Sequence, residues 1–194
     1  MKTMKRTFLI AVVVAGMGAG EVPPLESEPR PESQTKFCKI IEDAAAAYAP
    51  HNKTWYDEAN PIARERMTVE LAAMRDARDK EVLAHLGVAK PAMDRWILKL
   101  AYIGTGPRKD EVRLDFTARC RVVVTISTAF IMTPAQAGLL AAAKRNGYFR
   151  VSGGFYGHDI DANPAHRALN WDGFEMSAMM TPSYKVTLND IAGS

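Results

Sequence analysis

The chain has 194 residues, 47% hydrophobic and 24% charged, with two Cys, values that exclude intrinsic disorder, collagen and a polytopic membrane protein. A unit of about 150 residues buries roughly two-thirds of its unfolded surface, so a core needs neither several disulfides nor a metal. The formal charge of +3 falls to 22 Lys and Arg against 22 Asp and Glu once Lys2, Lys5 and Arg6 are set aside, which excludes strong overall basicity as a guide to partners.

Those three cations precede an apolar run from Phe8 to Ala15 and the small residues Gly16, Gly18, Ala19 and Gly20. This is the pattern of a signal peptide over residues 1–20, cut after Ala19 or Gly20, with an apolar run too short to span a bilayer. No Cys follows to accept a lipid, so we expect a periplasmic or secreted protein with no stable membrane span after cleavage. Residues 21–35 hold Pro23, Pro24, Pro29 and Pro31 among Glu26, Glu28 and Glu32, and read as an extended acidic linker.

Residues 36–90 read as helical. Phe37, Ile40, Ile41, Ala44, Ala45 and Tyr48 form one stripe that Pro50 and Asn52 end. Asn60 caps a second helix with Pro61 at its first position, and Ala63, Met67, Leu71, Met74 and Ala77 recur until Gly87. The charges between them (Glu65, Arg66, Glu70, Arg75, Asp76, Arg78, Asp79, Glu81) predict a solvated face.

From residue 91 the period shifts from about 3.6 to 2. Beta structure begins near Trp96. Between Val112 and Ser127 every even position is apolar while Arg113, Asp115, Thr117, Arg119 and Arg121 take odd ones, giving one long bent strand or two strands with an unlocated turn. Thr133 and Pro134 open a short helix to Lys144, stopped by Asn146 and Gly147. A strand from Tyr148 to Tyr156 is interrupted by Gly153 and Gly154, where a barrel wall bends or bulges. Trp171 and Phe174 flank a hairpin signal at Asp172 and Gly173, and Tyr184, Val186 and Leu188 alternate in a last strand.

Three strands, a short helix and two strands are the order of a five-stranded OB barrel. The expected fold is α+β, with N-terminal helices packed beside an OB-like β-barrel over residues 91–194 and one short helix between strands 3 and 4. Trp96, Leu139 to Gly147 leading into Arg150-Val151-Ser152-Gly153, Phe174 before a Ser-Met-rich stretch, and Pro182-Ser183-Tyr184 running to Asp190-Ile191 carry a likeness. With the Asn60 helix, the chain resembles uncharacterised exported bacterial proteins with a C-terminal OB-like (tRNA-anti-like) barrel. The resemblance covers roughly Phe37 to Ile191 and implies a fold and a compartment, with no activity attached. Many such proteins start the strand after the helix with Gly-Asp-x-Val, whereas Gly147-Tyr148-Phe149-Arg150-Val151 lacks the Asp, so no role of that carboxylate carries over.

Cys38 and Cys120 are either a disulfide, which an oxidising compartment preserves, or two buried free thiols. No CxxC gives them a redox setting. His158, Asp159, Asp161 and His166 are types that bind zinc or calcium, but their spacing with Gly157, Asn163 and Pro164 reads as a solvated loop. Ser152-Gly153-Gly154 lacks the Gly-x-Ser-x-Gly pattern of a nucleophile turn and reads as a bulged strand. Met176, Met179 and Met180 are packing residues before they are copper ligands. Arg113, Arg119 and Arg121 share the wet parity of the barrel strands and are the expected ligand-binding residues. The barrel carries 12 Lys and Arg against nine Asp and Glu. No aromatics alternate with the three Arg, which counts against single-stranded nucleic acid.

The expected function is therefore an exported, non-enzymatic binding module without metal or cofactor, whose partner is a protein or an anionic envelope ligand. A single-stranded nucleic-acid or other anion-binding OB protein and an enzyme of unknown chemistry are the alternatives.

Overall fold

The alternation of apolar and polar residues after Pro91 closes into a barrel in the computed structural model, which describes residues 24–87, 90–142, 147–155 and 177–193. Its strands are β1 (Ala92–Thr105), β2 (Glu111–Ala118), β3 (Thr125–Ile131), β4 (Tyr148–Phe155) and β5 (Ser183–Gly193). They close in the order β1-β2-β3-β5-β4, with β3 and β5 parallel and the other pairs antiparallel. This is the expected α+β barrel of OB-like strand order. The interval from Val112 to Ser127 is two strands: the apolar alternation runs on, but the chain turns after Ala118, whose amide donates to the Val124 carbonyl at 3.0 Å.

Helix α1 (Glu32–Asp57) packs its buried face against the barrel core. Its apolar stripe places the Phe37 ring 4.8 Å from Trp96 and 5.6 Å from Tyr184, centre to centre, and buries Ile41 completely. The first turn is keyed to β1. Trp96 Nε1 donates to Ser33 Oγ, and the Gln34 amide both donates to the Ile97 carbonyl and accepts from the Ile97 amide, each at 2.9 Å. A side-chain amide there does what a neighbouring strand does elsewhere, where β1 bulges between Met93 and Trp96 and Arg95 takes φ 48°.

Helix α1 outruns its expected stop at Pro50 and continues to Asp57. An internal Pro costs about 3 kcal/mol locally. Packing on α2 (Pro61–Leu86) offsets it: Trp55 Nε1 donates to Thr68 Oγ1 at 2.9 Å, and the Arg64 guanidinium lies 5.3 Å from the Trp55 ring centre. The start of α2 is as expected, with Asn60 Oδ1 accepting from the Ile62 and Ala63 amides. Its face is not. Arg75, Arg78 and Asp79 are buried with Leu71, Val82 and Leu83, so part of the expected solvated charge points into the protein, while Glu65, Arg66, Glu70 and Glu81 are exposed.

Helix α3 (Pro134–Ala142) joins β3 to β4. Thr133 and Gln136 form a reciprocal capping box, the Thr133 amide donating to Gln136 Oε1 at 2.9 Å and the Gln136 amide to Thr133 Oγ1 at 3.3 Å. A short helix α4 (Ser177–Met180) precedes β5. At the bulge between Ser152 and Gly153, a Cβ on Gly153 would stand 2.4 Å from the Thr187 carbonyl oxygen, which is why the wall needs glycine there.

The acidic segment before α1 is not an extended linker. Residues 24–31 turn at Pro24 to Ser27, with Leu25 only 2% exposed, and lie on the barrel as a strap. α1 then begins at Glu32 rather than Lys36.

Candidate functional site

Cys38 and Cys120 are bonded, with Cα atoms 5.1 Å apart, which closes the alternative left open by the sequence. Cys120 sits in the connection between β2 and β3 rather than within a strand, so the bond ties α1 to that connection. Glu42 lies within 4.8 Å of both sulfurs. Two sulfurs bonded to each other offer no thiolates to a metal, and Glu42 instead accepts the Arg121 amide at 2.7 Å, its second oxygen 3.8 Å from Arg121 Nε.

The expected face of three arginines is not formed. Arg113 projects from β2, where its Nε donates to Asp115 Oδ1 at 2.9 Å. Arg121 stands by Glu42 of α1. Arg119 lies past the end of β2, and its Nη1 donates to the carbonyls of Glu28 at 2.8 Å and Leu25 at 3.5 Å. Strand parity extrapolated through residue 121 fails because the strand ends at Ala118 and the turn re-aims the residues beyond it.

Arg119 instead joins residues of another strand. On β4, Phe149 and Val151 point inward, which places Tyr148 and Arg150 on the outer wall. Tyr148 pairs with Lys99 and Arg150 with Ile97 in the β1 register. The Arg119 guanidinium lies 5.8 Å from the Tyr148 ring centre. Arg150 Nη2 donates to both carboxylate oxygens of Glu28, at 2.6 and 2.5 Å, with the two side chains 30% and 20% exposed. Arg30 of the strap donates in turn to the Arg119 carbonyl. On the outer wall Arg150 thus seats the Glu28 carboxylate, while Arg119, beside the Tyr148 ring, holds main-chain carbonyls of the strap. Sequence reasoning missed Arg150 although its parity was legible between Phe149 and Val151, and it missed Glu28 because nothing local in an acidic segment names a partner.

Ser152 pins the β1 bulge, its Oγ accepting the Arg95 amide at 2.9 Å. That fits the bulged-strand expectation. Met179 is buried against Tyr48 and Leu71, with Met180 packed beside them, as expected of packing residues. His158, Asp159, Asp161, His166, the Trp171 to Phe174 hairpin, Met176 and the signal-peptide residues lie outside the described residues.

A second polar group is buried between α2 and the barrel. Arg78 Nη2 lies 2.7 Å from Asp79 Oδ1, both side chains being almost fully buried. Burial works against the Arg78 charge, but Tyr184 and Asp79 outweigh it and hold the guanidinium above its ordinary pKa. Burial pushes the Tyr184 phenol well above its ordinary pKa of 10, and its hydroxyl has no hydrogen-bond partner among the described residues. The unfolded phenol ionises first, so stability from this residue is complete below pH 10 and falls as pH rises beyond it. Urea midpoints from pH 8 to 11 should show that decline. Tyr184→Phe should flatten it and, by removing an unsatisfied hydroxyl, raise stability near neutral pH by about 1 kcal/mol. A decline of unchanged steepness would assign the alkaline loss to other groups.

No family model, curated protein or solved structure matches this chain. No helix among the described residues is long and apolar enough to cross a membrane.

Proposed function

We propose that the chain is an exported, non-enzymatic binding module that takes an anionic partner on the outer wall of its barrel. The observation that carries this reading is the Glu28 carboxylate held by Arg150 beside Arg119 and Tyr148: side chains that seat one carboxylate in this way have the chemistry to seat another. The basic N-terminal residues, the apolar run after them and a disulfide of the kind that persists in oxidising compartments support export. The balance of 22 cations against 22 anions outside the first six residues favours a local anion site over the long-range field that nucleic-acid binding draws on.

The test is a titration of the full chain with a sulfated oligosaccharide and an acidic peptide at low and high salt. Binding should weaken with salt, and Arg119→Ala with Arg150→Ala should reduce it at least tenfold while circular dichroism stays unchanged. Binding indifferent to both substitutions would remove the wall from consideration. Mass spectrometry of protein from its native host checks export: the N-terminus should lie near Gly20 or Glu21, and intact Met1 in an inner-membrane fraction would overturn cleavage.

A further inference from the structure

We infer that the strap over residues 24–31 is an internal ligand, and that the wall beneath it recognises a turned acidic peptide of the Leu-x-x-Glu type carried by a partner protein. The inference rests on the anion-binding reading above and adds what the anion is and how access to it is controlled. Three features of the contact are those of peptide recognition rather than of charge alone. The carboxylate of Glu28 meets Arg150 with both oxygens. One guanidinium, Arg119, donates to main-chain carbonyls of two strap residues, Leu25 and Glu28, a spacing that only a polypeptide supplies. The Leu25 side chain, three residues before the carboxylate, is 2% exposed. A free phosphate or a sulfated sugar satisfies the first feature and neither of the others.

The strap is also placed to compete. It runs directly into α1, whose first turn is fixed to β1 through Ser33 and Gln34 and whose Cys38 is bonded to Cys120. A detached strap therefore stays tethered beside its own site at an effective concentration in the millimolar range. An outside peptide displaces it only by binding better or by arriving at a chain whose strap has been loosened. The wall is accordingly closed at rest, with Glu28 as its latch.

The experiment uses a fluorescein-labelled peptide of this chain's own strap, residues 24–32, followed by anisotropy against the full chain. The native chain should bind it weakly, Glu28→Gln should bind it at least tenfold more tightly, and Glu28→Gln with Arg150→Ala should lose that gain. Unlabelled peptide in which Ser replaces the residue matching Leu25 should compete at least tenfold less well than the parent, and inorganic phosphate at equal charge should not compete. Equal binding by the native chain and Glu28→Gln, or competition by charge alone, would overturn the inference while leaving the anion site standing if the sulfated oligosaccharide still binds. Absence of binding by every anion to every form would sink both readings. A second measurement is independent of any outside ligand: Arg150→Ala should raise amide hydrogen exchange across residues 24–31, and unchanged exchange would show that Glu28 is no latch.

Discussion

Replacing Cys38 and Cys120 together by Ala should lower unfolding stability by about 4 kcal/mol and the melting temperature by roughly 10 °C. The bonded residues are 82 positions apart, and on the chain-entropy model a loop of that length removes about 4.5 kcal/mol of freedom from the unfolded chain. The ion pair beside the bond adds little, since the Arg121 side chain next to Glu42 is 92% exposed and an exposed pair contributes only about 0 to 1 kcal/mol. The expected shift should appear in urea denaturation of the oxidised chain against the double variant. A loss below about 1 kcal/mol would show that Phe37 and Ile41, packed with the barrel core, hold α1 in place without the covalent tie.

The parts of the fold legible in the sequence are those written in local chemistry. Asn60 with Pro61, Thr133 with Pro134, and the even-position apolar run from Val112 to Phe116 each encode their structure within a few residues, because capping and sheet parity are short-range effects. What could not be read depends on distant partners. Pro50 is tolerated because Trp55 docks on Thr68 of the next helix. Glu28 and Leu25 sit in a segment with the composition of a linker, and only the folded chain brings Arg150 to Glu28 and buries the Leu25 side chain. The arginine face failed for a related reason: parity fixes the side on which a residue projects only while the strand lasts, and a turn after Ala118 sends Arg119 to the strap and Arg121 to α1. The disulfide lay between these cases. Cys120 lay on an inward parity and Cys38 on the first helix, but their separation in space was set by how α1 packs on the barrel.

The charges of α2 give the other large effect. Asp79→Ala should cost about 3 to 5 kcal/mol, more than a substitution at Glu65, Glu70 or Glu81 on the exposed side of the same helix. The reason is asymmetry. Arg78 and Asp79 are both out of water, with the guanidinium nitrogen 2.7 Å from the carboxylate, so removing the carboxylate leaves a full positive charge in a low-dielectric setting beside Tyr48 and Tyr184. Removing both charges does not have that consequence. Arg78→Met combined with Asp79→Leu fills similar volume with apolar atoms and should recover most of the loss, because the desolvation of two ions disappears together with their attraction. Guanidinium denaturation of the native chain, the single variant and the double variant measures the two steps separately. If Asp79→Ala proved no more costly than Glu70→Ala, the charge on Arg78 would be held by its other neighbours. If the double variant proved as unstable as the single one, the pair would be required for the geometry of the seam between α2 and the barrel rather than for its own electrostatic balance.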